Sequence, residues 1–341
     1  MDSLTQIRLT RELIDIDSTT GREAEAGEFI ARTLEQRGYD VVRQPVADGR
    51  FNVIAALCAW GPPAVVFSTH FDCVPPFFPS RIEENPGQRL YGRGACDAKG
   101  TLIAQIAAAE RLRAAGETRI GLVFVVGEER GSDGAKAANT FAAGSSFLIN
   151  GEPTDNRLGA ATRGVYRARL KATGRAAHSS LPGLGVSAID KLVDAIVALR
   201  SVRWPEDPVL GRTFYSVGLI NGGVAPNVIS PAADAELMFR TVGAPGELRT
   251  AIETTVGHLV TVEDVLHVPP VRLTTVPGME TAVFSFTTDI PFLDRWGAPV
   301  LVGPGSVTLA HTANEYCEVA ELQRAVDVYV AIATTLMSER S

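Results

Sequence analysis

Gly92-Arg93-Gly94-Ala95-Cys96-Asp97-Ala98-Lys99-Gly100 is the stretch on which the reading of this chain turns. It sets one acid, Asp97, among small residues and directly ahead of an apolar helical pattern over 101–115. Spacing excludes a phosphate cradle. A P-loop needs Gly, four residues, then Gly-Lys-Ser/Thr, whereas here Lys99 precedes Gly100. A dinucleotide fingerprint would put its third glycine at position 97, where the acid stands. Asp97 is read as a carboxylate shared by two metal ions, on the strength of four other clusters, spread from His70 to His311, that read as the remaining ligands.

Outward from this stretch, short apolar runs alternate with helical patterns. Helices are predicted over 4–14, with Leu4, Ile7 and Ile14 on one side and Leu9 and Leu13 as a second stripe, and over 22–37, with Ala26, Phe29, Ile30 and Leu34 at helical spacing. Gly38 follows where a left-handed C-terminal cap is commonest. Strands are predicted over 52–58, 64–68, 120–126 and 147–149, with a short helix over 134–143. Runs such as Val123-Phe124-Val125-Val126 are apolar on both faces, which suits a buried, mixed but mostly parallel sheet between helices.

From 163 to 268 the order becomes strand, helix, strand, strand, helix, strand, the ferredoxin-like plan. The last part of the chain resumes the α/β pattern and ends in an amphipathic helix carrying Val319, Leu322, Val326, Tyr329, Val330 and Ala333. The expectation is an α/β, discontinuous catalytic domain over 1–162 and 269–341, with an inserted α+β lid or dimerisation domain over 163–268. A length of 341 residues agrees with two domains, because single cores stop growing at roughly 250–300 residues.

Composition narrows the function classes. A formal net charge of -7 argues against a nucleic-acid binder, which would present a basic face. No apolar run approaches the ~20 residues of a membrane span, so no membrane partner is expected. Met1–Gln6 shows no basic region followed by an apolar core, and Cys58, Cys73, Cys96 and Cys317 show no CxxC pairing. A cytoplasmic, reducing location is the expectation.

Four clusters carry further chemistry. Val65–Phe71 ends a buried strand in His70-x-Asp72, and alternate residues of a strand point to one side. The pair reads either as a metal ligand with the acid orienting it or as a capped strand end. Gly127-Glu128-Glu129 again follows an apolar strand; it is a solvated loop, or the chain leaves the strand so that both acids serve one site. Gly151-Glu152-Pro153 repeats the plan, and His311 stands just ahead of the final helix. Strands of an open α/β sheet deliver their C-terminal ends to one crevice. Without metal, five carboxylates, counting Asp72 and Glu128, would crowd one pocket and resist ionisation. Two divalent ions offset that charge.

Taken together, His70-x-Asp72, GRGACDAKG, Gly127-Glu128-Glu129, Gly151-Glu152-Pro153 and His311-x-x-Asn314-Glu315 resemble the dizinc amidohydrolase/peptidase family of acetylornithine deacetylase, succinyl-diaminopimelate desuccinylase, aminoacylase and carboxypeptidase G. The resemblance spans nearly the whole chain. It implies that His70, Asp97 and Glu152 hold one zinc and that Asp97, Glu129 and His311 hold the other, with Asp97 bridging. Cobalt and manganese tolerate the same donors. It further implies that Asp72 supports His70 and that Glu128 is the general base toward a water shared by ions about 3.5–4 Å apart.

In the inserted segment, His178 resembles the family's lid histidine, which stabilises the oxyanion and in dimeric relatives does so in the neighbouring subunit. Asn227 and Arg240 resemble the substrate-binding segment, where a guanidinium suits an α-carboxylate. Arg163 stands where some relatives carry a further substrate-facing Arg, a surface ion pair being the other reading. Thr69 and Phe71 depart from the family's usual small and medium residues without removing a ligand. His258 and His267 fall outside every motif, Cys73 and Cys96 read as small packing residues, and Lys99 pairs with acids or caps a helix.

The resulting expectation is metal-dependent hydrolysis of an N-acyl amino acid's amide bond, closest to the acetylornithine deacetylase branch. Succinyl-diaminopimelate desuccinylase, aminoacylase, dipeptidase and metallo-carboxypeptidase are the alternatives. A non-catalytic binding protein on the same fold is the remote one, and a homodimer through the inserted domain is the expected partner arrangement.

Overall fold

A computed structural model of the protein describes residues 1–57, 62–84, 87–141 and 144–338, apart from the side chain of Pro245. The chain forms two compact units: Met1–Ala160 with Leu273–Ala282 and Thr288–Ser341, and Ala161–Arg272 with Val283–Thr287.

The first unit is built on a six-stranded sheet in the order Asp40–Ala47, Arg50–Ala56, Ile120–Val125, Val65–His70, Phe147–Asn150, Ala298–Leu301. The last four are mutually parallel, and the first two add antiparallel edges. Val65–His70 and Ile120–Val125 are buried at every position. Alternate residues explain why. Val65, Phe67, Leu122 and Phe124 pack with Leu102, Ile106, Val326 and Tyr329, whereas Val66, Val123 and Val125 pack with Ala135, Ala138, Leu293 and Trp296 on the other face. Truncating a core aromatic such as Phe67 to Ala removes packing on one whole side and costs about 3–5 kcal/mol.

Several expectations shift at their edges. The strand predicted from Asn52 runs over Arg50–Ala56, and Cys58 lies outside the described residues. The short helix covers Asp133–Thr140, and Ala143 also lies outside them. Strand Asp40–Ala47 has no counterpart in the pattern reading: it is a half-exposed edge carrying Arg43, Gln44 and Pro45 and lacks an apolar alternation. In helix Ser3–Ile14 the buried side is Gln6, Leu9, Thr10, Leu13 and Ile14, and Leu4 is 81% exposed. Helix Ala24–Glu35 ends before Gly38, whose φ of 79° is the left-handed turn expected there. Helix Val319–Ser338 buries Val319, Leu322, Val326, Tyr329 and Ala333.

The second unit carries a four-stranded antiparallel sheet in the order Phe214–Gly222, Ala232–Thr241, Gly164–Thr173, Thr261–Val268. Helices Ala188–Arg200 and Pro245–Val256 complete a β-α-β-β-α-β arrangement. Tyr166, Ala168, Leu170 and Ala172 turn inward onto Leu192, Leu199, Ile252 and Val256, while Arg167, Arg169 and Lys171 are left at the surface or half-buried. Phe214–Gly222 is an edge strand and is exposed along almost its whole length. The architecture is a mixed α/β fold.

Candidate metal centre

Three parallel strands of the first unit end at one crevice. His70 is the last residue of Val65–His70. Glu152 follows Phe147–Asn150 by two positions. After Ile120–Val125 the chain leaves strand geometry at Gly127, φ 75°, and enters a single tight turn over Glu128–Arg130. Only glycine serves at 127, because a Cβ there would lie 1.7 Å from Asp133 Oδ1. The turn redirects two adjacent acids, whose side chains would diverge on a continuing strand.

Asp97 sits at the centre. His70 Nε2 lies 3.0 Å from Asp97 Oδ1 and 3.9 Å from Glu152 Oε2. His311 Nε2 lies 3.3 Å from Asp97 Oδ2 and 3.0 Å from Glu129 Oε1. Potential donor atoms of His70, Asp97 and Glu152 all fall within 4.8 Å of one another, and those of Asp97, Glu129 and His311 do the same. Asp72 lies beyond the strand end, so a turn, and not strand alternation, brings it to His70: Nδ1 is 3.0 Å from the Asp72 carbonyl and 3.4 Å from its Oδ1. The Asp72 carboxylate accepts the Glu128 N–H at 3.1 Å, the Glu129 N–H at 3.3 Å and the Thr20 hydroxyl at 2.8 Å.

The electrostatics are those of a cluster holding protons in place of a stronger charge. Burial pushes the carboxyls of Glu128, Glu152 and Glu129 up, since desolvation penalises the charged form. Burial opposes ionisation of Asp97 too, yet hydrogen bonds from His311 and His70 hold its carboxyl well below the usual range. His70 is disfavoured as a cation by burial, but its contacts with Asp72 and Asp97 outweigh that and raise it. Hydrogen bonding to Asp97, then Glu129, lifts His311 to about 10. Glu152 Oε1 is buried without a hydrogen-bond partner. An orphaned carboxylate oxygen among two imidazoles and further acids fits divalent metal, the donors being oxygen and nitrogen throughout.

The loop carrying Asp97 is held from beneath by Glu315. Its Oε1 accepts the N–H groups of Gly94 at 2.9 Å and of Cys96 and Asp97 at 3.2 Å each, and its Oε2 accepts Arg93 Nη1 at 2.7 Å. Gly100 admits this fold, since a Cβ there would meet the Ala95 carbonyl at 2.2 Å. Reading the sequence left Arg93 and Glu315 without roles; the only signal was an acid four residues after His311. Among the described residues Lys99 forms no ion pair with an acid, and it does more than cap. It opens helix Lys99–Ala114, is fully buried, and donates to the Ile16 carbonyl at 2.7 Å. Cys73 and Cys96 are buried free thiols, and burial pushes Cys73 up to about 12, far from a thiolate ligand.

The remaining named residues belong to the second unit. His178 is exposed, with Nδ1 2.8 Å from Ser180 Oγ, and its backbone bridges Val228. Asn227 is exposed and its carbonyl accepts from Ser179 N–H at 3.0 Å. Arg240 is half-buried on Ala232–Thr241, opposite Phe214 in register, and burial lowers its pKa. Arg163 forms no carboxylate pair among the described residues: it donates to Ser285 Oγ and lies 5.4 Å over the Phe214 ring. His258 and His267 are exposed.

Comparison with known proteins places this geometry in a family. Residues 66–335 match the model of peptidase family M20/M25/M40. The chain is 36% identical to a protein of Aspergillus clavatus named "Probable carboxypeptidase", over 94% of this chain and 80% of the relative. Its fold is similar to a crystal structure of a tripeptidase from Staphylococcus aureus, with TM-score 0.82, 22% identity and 100% of both chains covered. It is also similar to a dinuclear metal-binding M20 peptidase of Bacillus subtilis, with TM-score 0.72, 16% identity and 98% and 99% of the two chains covered. An amide-hydrolysing, metal-dependent enzyme follows, and the chain belongs to peptidase family M20/M25/M40.

Proposed function

We propose that the protein hydrolyses the amide bond of an N-acyl amino acid or short peptide whose terminal residue bears a free carboxylate. The observation that carries this reading is the shared carboxylate of Asp97, with one imidazole against each oxygen. His70, Asp97 and Glu152 would hold one ion and Asp97, Glu129 and His311 the other. When bound, two zinc ions, or cobalt or manganese in their place, supply Lewis-acid polarisation of the scissile carbonyl and acidify water.

The chain's own groups do the rest. Glu128 accepts a proton from the attacking water and returns it to the leaving nitrogen, the bond between carbonyl carbon and nitrogen breaking as the new carbon–oxygen bond is completed. Asp72 fixes the His70 ring and the Glu128–Glu129 turn together. Arg240, which has no acidic partner among the described residues, is assigned to the substrate carboxylate with Asn227, and Arg163 to a secondary substrate contact. His178 is assigned to the oxyanion.

The acetylornithine deacetylase-like activity that the resemblance of Gly94–Gly100 implies stays in the proposal as one substrate class. A relative named as a carboxypeptidase and a structural neighbour described as a tripeptidase support weighing peptide substrates equally with it. The exposed edge strand Phe214–Gly222 supports a homodimer through the second unit, and three buried free thiols accord with a cytoplasmic setting. One panel tests the proposal: metal content, then hydrolysis of N-acetylornithine, N-succinyl-diaminopimelate, N-acetylated neutral amino acids and dipeptides, with and without chelator. Activity untouched by exhaustive chelation overturns it.

A further inference from the structure

We propose that Arg50 is a positioning residue for Glu128 and Glu129, acting as a strut between the two loops that hold Asp72. The proposal rests on the reading of the acid–histidine cluster as a metal centre. Asp72 receives its donors from two directions. Thr20 contributes its hydroxyl from the loop ahead of helix Ala24–Glu35, and the turn after Gly127 contributes the N–H groups of Glu128 and Glu129.

Next to each of these donors stands a further acid, Glu23 ahead of helix Ala24–Glu35 and Asp133 at the start of helix Asp133–Thr140, and both turn to Arg50. Arg50 Nη1 lies 3.2 Å from Glu23 Oε1, and Nη2 lies 2.6 Å from Asp133 Oδ2. The remaining oxygens are also taken: Glu23 Oε2 accepts the Gly21 N–H at 2.7 Å, and Asp133 Oδ1 accepts the Gly134 N–H at 3.1 Å. Glu23 is fully buried and the Arg50 side chain is 12% exposed, so solvent screens this arm weakly, whereas Asp133 is 45% exposed and its arm is screened more.

The strut stands on a rigid base. Arg50 opens strand Arg50–Ala56, and two residues on, Asn52 accepts the Val126 N–H at 3.1 Å and donates to the Gly134 carbonyl at 2.8 Å. The turn from 127 to 133 is thus anchored to this strand at both ends. A guanidinium can address two carboxylates at once through separate nitrogens, which an ammonium at one point cannot reproduce. Without Arg50, the buried Glu23 and the half-exposed Asp133 lose the guanidinium that joins them, and the two segments are free to separate. Any such separation shifts the Glu128 and Glu129 backbone relative to Asp72, and with it a base and a ligand.

Two variants test this: Arg50→Lys, and the triple change Arg50→Met, Glu23→Gln, Asp133→Asn, which leaves no buried charge unpaired and so keeps folding intact. Stepwise zinc binding is measured by calorimetry with metal content by mass spectrometry, and amide exchange at Glu128 and Glu129 is followed in metal-free protein. Both variants should bind one of the two ions about 10–100-fold more weakly than wild type. They should also exchange the two amides faster and lose kcat more than they change KM. Wild-type affinities and protected amides, with only a lowered Tm, would make Arg50 merely structural and overturn the proposal. If the wild type binds no metal, the metal-centre reading fails, and the amide exchange still decides whether Arg50 holds the turn.

Discussion

His311 Nε2 stands 3.3 Å from Asp97 Oδ2, on the opposite side of that carboxylate from His70 Nε2, which is 3.0 Å from Oδ1. Each imidazole has its own further acid, Glu129 for His311 and Glu152 for His70. Only Asp97 is common to both sets. Asp97→Ala should therefore abolish tight binding of both ions, whereas Glu152→Ala should leave about one ion per chain. Metal content after gel filtration reads this directly. Equal, mild losses in the two variants would mean that Asp97 does not bridge.

Glu128 is held through its backbone N–H to Asp72 and belongs to neither ligand set. Glu128→Gln keeps that backbone bond and most of the side-chain shape but cannot take a proton. Both ions should remain bound while kcat falls by about 10²–10⁴-fold, the usual range for a lost general base. Steady-state kinetics on metal-saturated variant decide it, and a near wild-type rate removes Glu128 from the mechanism.

Much of the acid–histidine cluster was legible because its residues sit at strand ends with compact local signatures. His70, the Glu128–Glu129 pair and Glu152 each follow a strand buried on both faces, and that hydrophobic run is what the eye finds. What stayed hidden depends on contacts between distant segments. Glu315 reaches Gly94 across more than two hundred residues, and Arg50 joins Glu23 to Asp133. No local pattern marks such pairs. Strand Asp40–Ala47 was missed for a different reason: as a half-exposed edge it needs no apolar face, so its sequence shows none.

The metal-free protein should lose stability as pH rises. Folding pushes His311 up to about 10 against an ordinary 6.5, because its Nε2–H donates hydrogen bonds to Asp97 and Glu129, which favour the imidazolium. A pKa raised on folding gives stability that is complete below the unfolded value and lost as pH climbs through the folded one. For His311 that window is pH 6.5 to about 10, and the upward shifts of His70 and Glu152 act in the same direction. The Tm of chelated wild type should fall across this window, and that of chelated His311→Ala should fall less. Metal should also displace protons on binding at pH 7–8, seen as buffer-dependent calorimetric heats. A flat or rising Tm in chelated wild type contradicts the assignment.

Arg93 and Glu315 form a buried pair at 2.7 Å, with side chains 2% and 1% exposed. Removing one partner leaves an uncompensated charge in the interior, at a cost of about 3–5 kcal/mol. Arg93→Met should lower unfolding free energy by that amount, and adding Glu315→Gln should recover part of it, since the neutral amide no longer needs a counter-ion. Urea unfolding of the single and double variants measures both. A single-variant loss under about 1 kcal/mol would show that the three N–H donors from Gly94, Cys96 and Asp97 suffice to hold Glu315.

The second unit exposes apolar side chains on an edge strand and on a helix. Leu219 and Ile220 on the edge strand are each 58% exposed, and helix Ala188–Arg200 presents Ile189, Val193 and Val197 outward. An edge of this length with free backbone groups invites pairing, and two copies of one chain satisfy it with a single two-fold operation. Leu219→Glu places a charge on that edge without touching the core clusters. Sedimentation at micromolar concentration should find wild type as a dimer and Leu219→Glu as a folded monomer with unchanged circular dichroism. A wild-type protein that stays monomeric at tens of micromolar would assign the exposed strand to some other role.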